Sequence, residues 1–299
     1  MKVLISGSSG LIGGALCGSL EADGVRVVRL VRGSSAGEDE VHWDPAAGHL
    51  DPAAVEGFDA VVHLAGAGIG DRRWSDARRQ LILDSRVAST TLLSGRLAAA
   101  ARKPAVLISG SAIGFYGDRT LPVTEETGPA NPPDFLSDVT IAWEAATAAA
   151  EAAGIRTVHI RTGVVLAKTG GALAKLLLPF RLGVGGRLGS GQTWWSWISI
   201  VDEVRAIKHL IETPVIGAVN LTAPNPVTNA GVTEALGRVL RRPTILPVPR
   251  FVLELLLGKE LAASLLFTSI RALPAKLQDS GFQFEYPDIE QALRRVLDK

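Results

Sequence analysis

A short apolar strand running straight into a glycine turn limits this chain more than any other stretch. Val3-Leu4-Ile5 leads into Gly7-Ser8-Ser9-Gly10-Leu11-Ile12-Gly13, and a helical pattern begins at Leu11. In such a turn the first glycine permits the tight bend and the second lets backbone approach a bound group. The third lets the helix pack closely on the strand. The helix start presents unpaired N–H groups and a partial positive charge, which suits a diphosphate. The spacing is G-x-x-G-x-x-G, not the general G-x-G-x-x-G, so the strand–turn–helix setting carries the inference. Gly7, Ser8, Ser9, Gly10, Leu11, Ile12 and Gly13 are the expected diphosphate-binding residues of a dinucleotide site.

The rest of the chain supports that start. Apolar runs at Lys2–Ser6, Val25–Val31, Val41–Trp43, Ala60–Leu64, Ala105–Ser109 and Thr157–Arg161 read as strands covered on both faces. Helical patterns at Leu11–Ala22, Ser75–Ala101 and Phe135–Ala153 lie between them. Such alternation predicts an α/β fold, a Rossmann doubly wound parallel sheet. Beyond Arg161 the pattern changes. Five glycines between Gly183 and Gly191 predict a mobile loop, followed by Trp194, Trp195 and Trp197. A helix is expected over Val201–Glu212, a strand over Ala218–Leu221, an extended Phe282–Tyr286 and a last helix capped by Asp288. The expected organisation is a dinucleotide-binding domain over 1–165, with 194–224 returning to it. A smaller C-terminal substrate domain is expected over 166–193 and 225–299.

The end of the second strand discriminates between cofactors. An acidic residue there would hydrogen-bond the ribose 2′-OH of NAD. Here Val31-Arg32-Gly33-Ser34 stands instead, and Arg32 can grip a 2′-phosphate, so NADP(H) is expected over NAD(H). Arg29, on the same strand, has no evident role. A formal net charge of +1 over 299 residues gives no reason to expect nucleic acid or an anionic membrane as partner. One cysteine, Cys17, excludes an internal disulfide and, with no signal-peptide pattern, points to the cytoplasm. No metal site is expected, and homo-oligomerisation stays open.

Several further stretches resemble the extended short-chain dehydrogenase/reductases, the group that includes the sugar-nucleotide epimerases and dehydratases. They are Val62–Gly66, Ser109–Gly117, Arg161–Leu166 and Trp197–Asp202. The C-terminal Pro247–Phe251, Leu273–Leu277 and Gly281–Phe284 are similar to an atypical epimerase-family subgroup, sometimes labelled SulA-like. The resemblance implies that Leu64, Ala65 and Gly66 line the cofactor's path and that Thr162, Gly163 and Val164 border the nicotinamide. It also implies that Ser111 takes the place of the catalytic serine.

The usual Tyr-x-x-x-Lys pair is absent: the only tyrosines are Tyr116 and Tyr286, followed four residues on by Thr120 and Glu290. A free phenol titrates near pH 10 and needs a nearby cation to act as a base at neutral pH. Ser111 and Tyr116 remain the candidate catalytic residues, the serine polarising a carbonyl and the neutral phenol donating a proton. Asp138 reads as an acid–base group or a solvated carboxylate, and His63 as a proton shuttle or a packed core histidine. The tryptophans read as a wall over the substrate or as core. Lys175, Arg181 and Arg187 read as contacts for an anionic substrate or as solvated charge. Two functions follow. One is an NADP(H)-dependent oxidoreductase or epimerase-like enzyme acting on a small polar substrate between two domains. The other is a non-catalytic NADP(H)-binding sensor or regulatory protein.

Overall fold

A computed structural model describes residues 1–33 and 37–299, so Ser34 lies outside the described residues. In chain order the first half comprises β1 (Lys2–Ser6), α1 (Leu11–Ala22), β2 (Arg26–Val31), β3 (Glu40–Asp44), β4 (His49–Leu50), β5 (Ala60–His63), α2 (Asp76–Ala99), β6 (Val106–Ala112), β7 (Arg119–Val123), α3 (Phe135–Ala145) and α4 (Ala148–Ala152). The second half comprises β8 (Arg156–Thr162), β9 (Val164–Leu166), α5 (Gly171–Arg181), β10 (Trp194–Trp195), β11 (Trp197–Ser199), α6 (Ile200–Glu212), β12 (Gly217–Leu221), β13 (Val227–Thr228), α7 (Asn229–Leu240), α8 (Arg250–Leu257), α9 (Lys259–Ala262), β14 (Ile270–Ala272), α10 (Ala275–Asp279) and α11 (Ile289–Val296).

Eight strands form one sheet in the order β12-β8-β6-β5-β1-β2-β3-β4. All neighbours are parallel except the β3–β4 hairpin at the edge. The strand order reverses at β1, between β2 and β5, which opens the crevice where ligands of such sheets bind. This is the expected doubly wound α/β fold. Alternation along β1 shows why both faces are covered. Val3 and Ile5 enter the cluster under α1 and α6, while Leu4 enters the cluster under α2 and α4. Each such buried aliphatic contributes about 1.5–3 kcal/mol of transfer free energy.

The expected elements differ from the observed ones in a few instructive places. The fifth expected strand, Ala105–Ser109, runs on to Ala112 because pairing with β8 continues to Ala112↔Thr162, so Ser111 lies inside a strand. The helix expected over Phe135–Ala153 breaks between Ala145 and Ala148, where the Thr147 hydroxyl turns to the Glu144 carbonyl at 2.8 Å. Residues 282–286 join no sheet. The Asp202 carboxylate instead accepts the backbone N–H groups of Glu285 and Tyr286 at 2.8 and 2.9 Å. Asp288 does cap α11, accepting from Glu290 N and Gln291 N. The glycine-rich loop is pinned: Leu188 bridges to Val248 and donates its N–H to the buried Asn229 carboxamide at 2.7 Å. Among the described residues no helix is long and apolar enough to cross a membrane, and no cluster could hold a metal ion.

Candidate functional site

The glycine turn forms where β1 meets α1. Gly7 has φ +71°, and a Cβ there would lie 2.7 Å from the Leu64 carbonyl carbon, so turn and β5 end abut. Gly10 donates its N–H to the Gly7 carbonyl at 2.9 Å, and a Cβ on Gly13 would overlap that same carbonyl oxygen. The N-cap of α1 is Gly10, which supplies no side-chain cap, and the first turn carries no carboxylate. The helix start is therefore an uncapped positive end. Ser9 and Gly10 are exposed, and Ser8, Leu11 and Ile12 are half-buried. A diphosphate fits this cradle; an added methyl group at Gly13 does not.

Leu64, Ala65 and Gly66 follow β5 directly beside the turn. The Leu64 N–H lies 3.2 Å from the Ser6 carbonyl and 3.2 Å from its Oγ, and the Ala65 N–H lies 3.3 Å from that Oγ. Ser6 Oγ also meets His63 Nδ1 at 2.6 Å, and His63 Nε2 meets Thr90 Oγ1 at 2.9 Å. Burial pushes the His63 imidazole down to about 4, so it is neutral, packed and fully partnered. It supports the turn. Arg32 is exposed just past β2. Arg29 acquires a role: it pairs with Glu21 of α1.

A second group assembles at the ends of β6 and β8 against α3. Ser111 Oγ donates to Glu144 Oε1 at 2.6 Å. The Arg161 guanidinium grips both oxygens of Glu144, each at 2.8 Å, and its Nη1 donates to the Tyr116 hydroxyl at 3.1 Å. Tyr116 OH in turn donates to Asn220 Oδ1 on β12 at 2.8 Å. Arg161 also lies 3.4 Å from the Phe115 ring centroid. Tyr116 is wholly buried, and burial pushes its phenol up. Thus Ser111 and Tyr116 are brought onto one network, through an Arg161–Glu144 pair that the sequence reading did not name. A carboxylate on α3 with a strand-end arginine was the available signal.

The next strand end holds Thr162, Gly163 and Val164. Gly163 N–H donates to the Leu221 carbonyl at 3.0 Å and Val164 N–H to the Ser196 carbonyl at 2.8 Å. Thr162 Oγ1 donates to Glu203 Oε1 at 2.9 Å. Glu203 is fully buried, Oε2 has no partner, and desolvation pushes its carboxyl up to about 8. Sequence reasoning missed it. Its signal was a carboxylate at the i, i+4, i+7 spacing of the buried Ile207 and Leu210.

The open alternatives divide as follows. Asp138 is exposed in the first turn of α3. Trp195 and Trp197 are core, Trp197 donating Nε1–H to the Asn225 carbonyl at 3.1 Å. Trp194 is half-buried with Arg271 4.3 Å from its ring centroid. Lys175 donates to the Gly70 carbonyl at 2.6 Å, while Arg181 and Arg187 are exposed.

Comparison with known proteins finds relatives along nearly the whole chain. The model of the NAD dependent epimerase/dehydratase family matches residues 3–222, and a domain of unknown function matches residues 248–296. Epimerase family protein MT2273 of Mycobacterium tuberculosis is 45% identical over 292 residues, covering 97% of this chain and 96% of the relative. The crystal structure of human epimerase family protein SDR39U1 (isoform 2) with NADPH superposes with TM-score 0.89 at 32% identity, covering 100% of this chain and 99% of that one. A nucleoside-diphosphate sugar epimerase from Corynebacterium glutamicum superposes with TM-score 0.81 at 35% identity, over 99% of this chain and 58% of that one.

Proposed function

Because the chain belongs to the NAD dependent epimerase/dehydratase family, we propose that it binds NADP(H) and works as an oxidoreductase or epimerase-like enzyme on a small polar substrate. The observation that carries this reading is the uncapped start of α1 beside a turn too tight for any side chain at Gly13. NADPH in the human relative's structure supports the same cofactor, as does an arginine rather than a carboxylate past β2. Gly7 to Gly13 hold the diphosphate, Arg32 the 2′-phosphate, and Leu64 to Gly66 with Thr162 to Val164 the path to the nicotinamide. A bound nicotinamide supplies or accepts the hydride.

Ser111 is the group that orients the reacting oxygen, and because its one proton goes to Glu144 at 2.6 Å, its Oγ meets a substrate hydroxyl as an acceptor rather than polarising a carbonyl. Tyr116, sealed from solvent and spent on Asn220, acts as a positioning residue through Arg161. That sealed phenol and the missing Tyr-x-x-x-Lys favour a second reading, a cofactor-binding sensor without turnover.

Titration of the protein with NADPH and NADH tests the proposal. The wild type should prefer NADPH, and Arg32→Ala should weaken NADPH by about tenfold while leaving NADH unchanged, as expected for one lost charge-assisted contact. Equal affinities in the wild type would remove the NADP(H) assignment.

A further inference from the structure

Arg86 lies on α2 directly beneath the turn that follows β5. The residue is only 7% exposed. Its Nη1 donates to the carbonyls of Ala67 and Ile82, both at 3.0 Å, and its guanidinium carbon lies 5.0 Å from the Trp143 ring centroid. A Cβ on Gly66 would come within 3.1 Å of that same carbon, so the turn and the guanidinium are in tight contact. No carboxylate stands within ion-pair range of Arg86 among the described residues. Burial, and next the like charge of Arg78, pull its pKa down to about 10, so it remains cationic at neutral pH. Arg78, two turns earlier on the same helix, has a buried Nε without a partner.

A cation removed from water without a counter-ion is strongly unfavourable, and proteins rarely keep one without a use. The turn above Arg86 abuts the glycine turn, since Gly7 packs against the Leu64 backbone. We propose that Arg86 is the counter-charge for the dinucleotide's diphosphate, a binding residue outside the glycine motif, held ready by the Ala67 and Ile82 carbonyls. This rests on the cofactor reading above. It adds that the anion is recognised from both sides, by the positive start of α1 and by a guanidinium rising from α2.

The test measures NADPH and NADH affinity, and the melting temperature of cofactor-free protein, for wild type, Arg86→Met and Arg86→Lys. Wild type that binds neither dinucleotide defeats the cofactor reading itself. With wild type binding, Arg86→Met should weaken both dinucleotides alike by tenfold or more, because both carry the diphosphate. Cofactor-free, it should still fold and melt close to wild type, because removing the unpaired charge offsets the loss of the hydrogen bonds to the Ala67 and Ile82 carbonyls. Arg86→Lys keeps the charge without the fork and should stay within about threefold of wild type. Four results would overturn the inference: unchanged affinity in the methionine variant, a loss confined to NADPH, an Arg86→Lys protein as weak as Arg86→Met, or a methionine variant that does not fold. The last two would make the guanidinium a structural tie for the turn.

Discussion

The glycine turn and the Ser111–Glu144–Arg161 cluster stand at the carboxyl ends of strands in one sheet, yet they are made of different material. The turn is backbone: its features are a positive φ, a carbonyl too close for a Cβ, and N–H groups left free at a helix start. The cluster is side chains from β6, α3 and β8, with Tyr116 and Asn220 added from two further places. Backbone sites depend on local sequence and fail when a side chain is added. Side-chain clusters depend on packing and fail when one partner is removed.

Three substitutions sharpen or break that contrast. The largest effect is expected from Glu144→Ala, which leaves the nearly buried Arg161 without its carboxylate. Breaking a buried pair this way costs about 3–5 kcal/mol. Urea denaturation should register that loss while NADPH affinity stays within twofold; a collapse of affinity would show that the two regions are one unit.

Glu203 meets Thr162, the residue after Arg161, at the end of β8. Its folded pKa of about 8 stands above the ordinary 4.5, so the folded chain keeps a proton that the unfolded chain loses across that window. Wild-type stability should therefore fall as pH rises from about 4.5 to 8. Glu203→Gln should flatten the slope and exceed wild type by on the order of 3 kcal/mol at pH 7, at about 1.4 kcal/mol per pKa unit. Parallel curves for the two proteins would mean that Glu203 is ionised in the fold. The smallest change in stability, about 1–3 kcal/mol, is expected from Gly13→Ala, whose methyl group must displace the Gly7 carbonyl. Here the order reverses, because dinucleotide binding should drop by far more than the melting temperature suggests. Retained NADPH affinity would show that the cradle yields.

The same contrast explains what could be read from the sequence. The sheet, α1 and the glycine turn follow from periodicities and spacings within 30 residues, and β1 and α1 match their expected bounds. Arg86, Glu203 and Glu144 were not legible as site residues. Each is a charged side chain within a helix, where solvation is the ordinary reading, and its importance comes from neighbours distant in sequence. Glu144 meets Ser111 from 33 residues away and Glu203 meets Thr162 from 41. Tyr116 was legible as a residue near the site but not as a sealed one, because Asn220, 104 residues on, decides where its hydroxyl points.

One earlier feature bears on how the protein is made. Asp202 begins α6 beside the strand ends, yet its carboxylate takes its amide partners from Glu285 and Tyr286. Until that stretch leaves the ribosome, the nascent chain exposes a carboxylate lined up for burial with half of its donors still missing. Synthesis at ~5–20 residues per second leaves the N-terminal half waiting several seconds for this closure. Chain termination or proteolytic trimming ahead of Glu285 should thus loosen the start of α6, far earlier in the chain than the cut.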